Sequence, residues 1–433
     1  MSEQASSSVI SAGVGAQRRT VGVIGLGYVG LPLAAAFARA GAEVIGVESD
    51  PRKLAAIAQG RSYVEDVPDS ELGEISGRLA ATSSYNALES AEAVVICLPT
   101  PLSRSREPDL TALVEGARAL AEVLRRGQLV VLESTTYPGT TRERLAPLLE
   151  ASGLQAGRDF NLAFSPERID PGRRDFTIAN TPKVVGGLTP ACRERAIALY
   201  SLICATVVPV STTEAAELTK LLENIFRSVN IALVNELALV AERMGIDVWE
   251  VIDAAATKPY GFMRFEPGPG LGGHCLPVDP FYLSWRARQL DLQTEFIELA
   301  GKVNQHMPYH CVERAMRALN DIGLPVRGAR VAILGVSYKP GVGDTRESPA
   351  LKIISLLAEL GADLCYHDPF VPALPEQGLE SLPLEEALVG ADLALIATAH
   401  PGVDHALALA RARLVLDLRG VTRGNASENV VRL

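Results

Sequence analysis

Val21-Gly22-Val23-Ile24-Gly25-Leu26-Gly27-Tyr28-Val29-Gly30 decides how this chain begins to fold. A short apolar run enters G-x-G-x-x-G, and residues 31–40 continue with the Ala-rich pattern of a helix. Strand, glycine turn and helix in that order open a dinucleotide-binding βαβ unit. Gly25 supplies the tight turn, Gly27 leaves the backbone open to a pyrophosphate, and Gly30 lets helix pack on strand. The anion then lies at the helix N-terminus, where unpaired N–H groups and the helix dipole favour negative charge. A second apolar run, 43–47, ends at Glu48, about 20 residues on, where an acidic side chain binds a ribose diol. A carboxylate repels a 2′-phosphate, so NAD is expected as the cofactor; Arg52 nearby is the one feature that keeps NADP in view.

Outward from that motif, apolar strand candidates recur at 21–24, 44–47, 94–98, 129–132, 162–164, 183–185 and 207–210. Helical stretches such as 112–124 and 141–150 lie between them, and the alternation predicts an α/β fold with a doubly wound parallel sheet. Ligands bind beyond the carboxyl ends of such strands. Thr100, then Glu133-Ser134-Thr135-Thr136, then Ser165-Pro166-Glu167 fall there.

From Ser211-Thr212-Thr213-Glu214, a capping-box pattern, a long helix follows. Leu218, Leu221, Leu222, Ile225, Phe226, Val229, Leu233, Leu237 and Val240 recur along it at helical spacing. Its wide apolar face implies burial against another domain or subunit. Lys220 and Asn224 lie one turn apart on it; lysine is usually a solvated surface residue, so a role for this pair rests on what surrounds it. A second helical block, 295–320, leads to a second strand–loop–helix alternation with strands near 330–334, 364–367, 393–397 and 414–417. Gly335 is followed by Val336-Ser337-Tyr338, not by the full glycine motif, so a second NAD is not expected there. Tyr338, Lys339, Asp344, Thr345, Arg346 and Glu347 suit a nucleoside diphosphate, or equally make a solvated charged loop.

Gly272-Gly273-His274-Cys275-Leu276-Pro277-Val278-Asp279-Pro280 places a thiol four residues from a carboxylate, after a loop rich in Gly and Pro. Backbone N–H groups can crowd a ligand there, the thiol can attack a carbonyl and the carboxylate can manage protons. A buried structural cysteine beside a turn is the plain alternative.

Length favours two or three domains, and the patterns divide the chain into a tail at 1–18, an NAD-binding domain at 19–210, a central helical region at 211–325 and a second strand-and-helix domain at 326–433. Residues 1–18 lack the charged start and apolar block of a signal peptide. A net charge of −10 disfavours nucleic acid or an anionic membrane as partner. Cys97, Cys192, Cys204, Cys275, Cys311 and Cys365 have no paired spacing, which fits a reduced, cytoplasmic protein, and no Cys/His cluster has zinc spacing, so no metal is expected.

Six ordered segments together resemble the UDP-glucose/GDP-mannose dehydrogenase family. They are Gly25 to Pro32, Glu133-Ser134-Thr135, Ser165-Pro166-Glu167, Glu217-Leu218-Thr219-Lys220 with Asn224, Gly272 to Cys275, and Gly343-Asp344-Thr345-Arg346-Glu347-Ser348. The resemblance implies two doubly wound Rossmann-like domains joined by a central helical region that dimerises. It implies an enzyme that oxidises the primary alcohol of a UDP-sugar to a carboxylate, using two NAD. Cys275 would be the nucleophile; Lys220 and Asn224 would stabilise oxyanions; Asp279 would assist proton transfer, Thr135 would position water, and Glu167 would serve in thioester hydrolysis. Gly25, Gly27, Tyr28, Val29, Gly30, Glu48, Lys53, Thr100 and Thr135 would hold the cofactor. Glu167, Arg168, Lys220, Asn224, Arg264, Phe265, Gly272, Gly273, Tyr338, Lys339 and Arg419 would hold the substrate. His274 and Val278 stand where UDP-glucose enzymes carry Ser and Lys, so the chain looks like the branch acting on N-acetylated sugars, with UDP-N-acetylglucosamine the expected substrate. UDP-glucose and the N-acetylmannosamine and N-acetylgalactosamine epimers stay open. So do two remoter readings: a two-electron hydroxyacid-type dehydrogenase, which needs no Cys275, and a non-enzymatic NAD-binding regulator.

Overall fold

In a computed structural model the apolar run before the glycine motif is strand β1 (Thr20–Ile24). The structure describes residues 19–433 apart from 104–106, 171–172, 174, 274–275 and 425–426, so the expected tail and the pair His274 and Cys275 lie outside the described residues. The chain divides into two units, one made of residues up to 99 with 112–134 and 141–213, the other of 100–111, 135–140 and 214–433.

The first unit adds β2 (Glu43–Val47), β3 (Leu79–Thr82), β4 (Ala93–Ile96), β5 (Leu129–Leu132), β6 (Asn161–Phe164), β7 (Lys183–Gly187) and β8 (Val207–Val210) in the order β3-β2-β1-β4-β5-β6-β7-β8. Helices α1 (Gly30–Arg39), α2 (Pro51–Ala58), α3 (Asp69–Glu74), α4 (Thr111–Ala121), α5 (Ala146–Glu150) and α6 (Pro190–Tyr200) connect them. Every residue of β4 and β5 is buried, as expected of central strands covered on both faces. The sheet departs from the parallel expectation at one place: β7 pairs antiparallel with β6, and β8 follows β7. No helix intervenes between β6 and β7 among the described residues, so the chain has no crossover to return it to the starting edge. Strand β3 escapes the sequence reading because its Leu-Ala-Ala-Thr is short and partly exposed.

The second unit holds α7 (Thr213–Met244, from Glu214 on), α8 (Val248–Ala256), α9 (Asp279–Arg288) and α10 (Glu295–Asp321). A second sheet follows, with β9 (Arg330–Leu334), α11 (Pro349–Glu359), β10 (Asp363–His367), a small hairpin β11 (Ala373–Leu374) and β12 (Leu379–Glu380), α12 (Leu384–Leu388), β13 (Leu393–Ile396), α13 (His405–Arg411), β14 (Leu414–Asp417) and β15 (Val430–Arg432). Its order is β10-β9-β13-β14-β15, all parallel. Met307, Cys311 and Leu319 of α10 and Ile353 and Leu357 of α11 pack with Val331, Ile333 and Leu395 of the strands. Leu388 of α12 and Ala408 of α13 pack with Leu334, Ile396 and Val415.

Helix α7 is inverted. Thr213, Glu217, Lys220, Asn224, Ser228 and Asn235 recur at helical spacing and are buried. Leu218, Leu222, Phe226, Leu233, Leu237, Val240 and Met244 fall on the other side and are exposed. The single wide apolar face read from the sequence is therefore split, with Leu221 buried and Leu222 62% exposed. Among the described helices only α7 passes a test of length and composition for crossing a bilayer, with a mean hydropathy of 1.2. Its row of polar groups would be costly in hydrocarbon.

Candidate active site

The glycine turn of the first unit fits a dinucleotide. Gly25 has φ +88°, and a Cβ there would lie 2.7 Å from the Cys97 carbonyl oxygen. A Cβ on Gly30 would lie 1.8 Å from the Gly25 carbonyl oxygen, so helix and turn touch backbone to backbone. A Cβ on Gly27 would meet nothing within 4 Å, which leaves that side open to a ligand. Helix α1 starts after Val29 with no side-chain cap and no acid in its first turn, so its N-terminal N–H groups are free of side-chain competitors for an anion. Tyr28 is half exposed beside them.

Glu48 is buried just past β2. One carboxylate oxygen accepts from the Leu26 N–H and from Lys53 Nζ, both at 3.1 Å. The other accepts from the N–H groups of Ser49 at 2.9 Å and Asp50 at 3.0 Å. Burial pushes this carboxyl upward, but the Asp50 N–H and the Lys53 ammonium outweigh it and hold it below the usual carboxylate value. Its four acceptor directions are in use, and Lys53 is the one donor on a flexible stem. A ribose diol reaching Glu48 would have to displace one of these donors, and Lys53 is the one on a flexible side chain. Arg52 is turned away onto Asp50.

In the second unit Lys220 and Asn224 of α7 and Asp279 of α9 are all buried. Asn224 Nδ2 donates to Asp279 Oδ2 at 2.6 Å. Burial pushes the Asp279 carboxyl up to about 7, against the Lys220 charge and the Asn224 hydrogen bond, which both pull it down. A carboxyl so balanced exchanges a proton near neutral pH. One turn on, the Tyr282 hydroxyl donates to the Thr100 carbonyl, while the Thr100 hydroxyl donates to the Thr135 carbonyl at 2.7 Å. Helix α9 therefore fixes Asp279 and both threonine segments. Glu217 accepts from the Gly139 N–H at 2.6 Å and ties the Thr135 segment to α7 as well.

The loop that leads to Cys275 is held by backbone contacts only glycine permits. The Gly268 N–H donates to Asn235 Oδ1 at 2.9 Å, and Asn235 Nδ2 donates to Asn304 Oδ1 at 2.9 Å. Pro308 inside α10 has no N–H to give the Asn304 carbonyl, and a Cβ on Gly270 would lie 2.9 Å from that oxygen. The Gly273 N–H donates to the Arg346 carbonyl at 3.0 Å, and its Cα faces the Tyr338 ring, which a Cβ would meet at 2.8 Å. The guanidinium of Arg419 lies beside Gly268, where a Cβ would come within 2.4 Å of it.

Three family models cover the chain: the NAD binding domain of the UDP-glucose/GDP-mannose dehydrogenase family matches residues 19–204, its central domain 214–306 and its UDP binding domain 332–424. The chain belongs to the UDP-glucose/GDP-mannose dehydrogenase family. It is similar to the UDP-N-acetyl-D-glucosamine 6-dehydrogenase of Pseudomonas aeruginosa, with 38% identity over 82% of this chain and 83% of that protein. It is similar to the NDP-N-acetyl-D-galactosaminuronic acid dehydrogenase of Ralstonia nicotianae, with 36% identity over 93% and 96%. The solved UDP-D-ManNAc dehydrogenase of Pyrococcus horikoshii superposes with a TM-score of 0.87 at 35% identity, covering 95% of this chain and 98% of that one.

In this NAD-dependent dehydrogenase several of the expected site residues have partners within the chain. Glu133 is not an open strand-end group: it is buried, paired with Lys183 and bonded by Tyr200. Glu167 shares that Lys183 at 3.1 Å. Arg168 donates to the Pro182 carbonyl. Arg264 pairs with Asp253 and Glu266, and Phe265 packs edge-on against Phe226. Lys339 lies over the Tyr338 ring. The sequence reading gives no role to Lys183, Tyr200, Tyr282, Asn235 or Asn304, and Glu217 enters it only within the segment Glu217-Leu218-Thr219-Lys220; for Asn235 the helical spacing with Lys220 is the one signal.

The second sheet repeats the first turn and then closes it. Gly335 has φ +80° and bonds the His367 carbonyl, as Gly25 bonds Val47. Asp368 takes the place of Glu48, but it accepts from Val336, Ser337, Phe370 and Val371 N–H groups and from His400, which is itself buried. The expectation of no dinucleotide there has this physical basis.

Glu48→Ala removes the charge that repels a 2′-phosphate and frees Lys53 to pair with one. The NADP to NAD ratio of kcat/KM should rise by roughly 10-fold or more, about the worth of one charge-assisted contact. Steady-state kinetics with both cofactors checks it, and an unchanged ratio would remove Glu48 from cofactor choice.

Proposed function

We propose that the enzyme oxidises carbon six of UDP-N-acetylglucosamine from alcohol to carboxylate, in the synthesis of a surface polysaccharide precursor. The observation that carries the chemistry is the buried Lys220–Asn224–Asp279 cluster, with Asp279 poised near neutral pH. NAD, held at the glycine turn, accepts the hydrides. Lys220 and Asn224 stabilise oxyanions at the reacting carbon, an ammonium at about 4 Å being worth ~4 kcal/mol at an effective dielectric near 20. Asp279 moves the proton released from the alcohol. Cys275 captures the aldehyde as a thiohemiacetal and carries it on to a thioester, so the aldehyde never leaves. Water positioned by Thr135 hydrolyses the thioester with Glu167 as base. Arg419, Tyr338 and Lys339 bind the UDP group.

The N-acetylated sugar is supported by Val278, which packs with Tyr137, Leu221 and Tyr282 and keeps that wall apolar, and by the names of the relatives. Those names include other epimers, so a panel decides. UDP-N-acetylglucosamine should give the highest kcat/KM among UDP-sugars and yield two NADH per acid formed, with no free aldehyde. Cys275→Ala should abolish acid formation. One NADH with accumulating aldehyde would refute the four-electron reading; a better epimer would move the substrate and leave the chemistry.

The enzyme is read as a cytoplasmic homodimer. Cys97, Cys192, Cys204, Cys311 and Cys365 are free thiols, which fits a reducing compartment. The exposed stripe of α7 supports pairing through that helix, since monomers rarely expose so long an apolar row. Leu222→Asp with Leu233→Asp should give a monomer by light scattering at micromolar concentration. A dimer that survives both changes would place the interface elsewhere.

A further inference from the structure

The reversed strand β7 does something a parallel strand could not. Because β7 runs opposite to β5 and β6, its first residue, Lys183, lies at the sheet edge where β5 and β6 end. Glu133 leaves β5 there and Glu167 follows β6 by three residues. Lys183 Nζ is 3.1 Å from a Glu133 oxygen and 3.1 Å from a Glu167 oxygen. On the far side the Tyr200 hydroxyl of α6 donates to the other Glu133 oxygen, and the Tyr200 ring lies 5.2 Å from the ammonium. The second Glu167 oxygen accepts the Arg168 and Ile169 N–H groups at 2.7 and 2.6 Å. Glu167 is thus gripped at both oxygens.

A buried ion pair is a poor way to stabilise a fold, since well-packed apolar residues usually do as well or better. This cluster moreover carries two carboxylates for one ammonium. Burial pushes Glu133 upward against the pull of Lys183, so Glu133 is the carboxylate under pressure. Burial alone would lower Lys183, but Glu133 and then Glu167 outweigh it and keep the ammonium charged. The neighbouring Cys97 and Cys204 thiols and the Tyr200 hydroxyl are pushed up by burial and stay neutral. Among the described residues, Lys183 and Glu133 are thus titratable groups packed at Glu167, with Arg168 adjacent in the chain.

We infer that Lys183 is a positioning residue, which fixes the Glu167 carboxylate and keeps it an anion so that it can accept the proton of the hydrolytic water. The inference rests on the assignment of Glu167 as the base in thioester hydrolysis. In that step the water oxygen bonds to the acyl carbon, its proton goes to Glu167, and the C–S bond breaks with its electron pair returning to the Cys275 sulfur.

Two variants move the acid limb of the hydrolysis rate in opposite directions. K183Q/E133Q removes both buried charges while retaining hydrogen-bonding groups, and should raise the limb, by less than the roughly 1–3 pH units that losing an opposite charge alone would give, because the more distant like charge of Glu133 goes with it. At pH 6 hydrolysis should slow relative to the first hydride transfer, and the Cys275 thioester should accumulate in rapid-quench mass spectrometry. E133Q alone leaves Lys183 to Glu167 and should lower the limb; K183R should restore the parent profile. Limbs that stay in place in E133Q and in K183Q/E133Q overturn the inference, and E133Q decides alone if the double variant does not fold. E167Q separates the two assignments. Normal hydrolysis in E167Q refutes Glu167 as base, whereas slow hydrolysis in E167Q with unmoved limbs elsewhere refutes only the role of Lys183.

Discussion

The polar row buried along α7 is the constraint on which the second unit is built. A soluble helix normally buries its apolar stripe; here Glu217, Lys220, Asn224, Ser228 and Asn235 are buried beside Leu221 and Val234, while Leu218, Leu222, Leu233 and Leu237 are exposed. Each inward group must find a partner, because an unpaired one costs about 1–3 kcal/mol or more. Those partners are Gly139 beyond Thr135 for Glu217, Asp279 for Asn224, and the glycine loop and Asn304 for Asn235. The same arrangement leaves an exposed apolar stripe on α7.

The two sheets begin alike and diverge by electrostatics. Each has a glycine at positive φ after its first strand and an acid after its second. In the first sheet the partly exposed Lys53 completes the acid's shell. In the second a buried histidine and four N–H groups complete it, and the loop that follows carries Tyr338 against Gly273 instead of a helix N-terminus. One turn geometry thus gives a cofactor cradle in one sheet and a scaffold for the Cys275 loop in the other.

Local pattern made much of this legible. The glycine motif, the central apolar strands, the long helices and Lys220 with Asn224 all announce themselves through spacing within about 20 residues. What was not legible depends on residues far apart in the chain. The reversal of β7 follows from a connection without a helix, and that reversal alone brings Lys183 to Glu133 across 50 positions. Tyr282 reaches Thr100 across 182. Edge strands β3 and β15 are short and carry too few buried residues to leave a period. The split of α7 was hidden because leucine at helical spacing reads as core whether it faces a core or a partner.

If that polar row serves catalysis, the fold sacrifices stability to hold it, and Asp279 is where the sacrifice is measurable. Its carboxyl stands near 7 in the folded chain against an ordinary value of 3.8, so the folded state binds the proton more tightly than the unfolded one. The contribution is present below the ordinary value and is lost as pH rises from about 4 through 7. The decisive measurement is chemical unfolding of Asp279→Asn and the parent at pH 5 and pH 8, with kcat on the same samples. The advantage of the variant over the parent should grow by about 2–3 kcal/mol between pH 5 and pH 8, the worth of the two pH units between pH 5 and the folded value, and turnover should be nearly lost. A variant whose advantage does not grow over that range, or that keeps its turnover, would contradict the account.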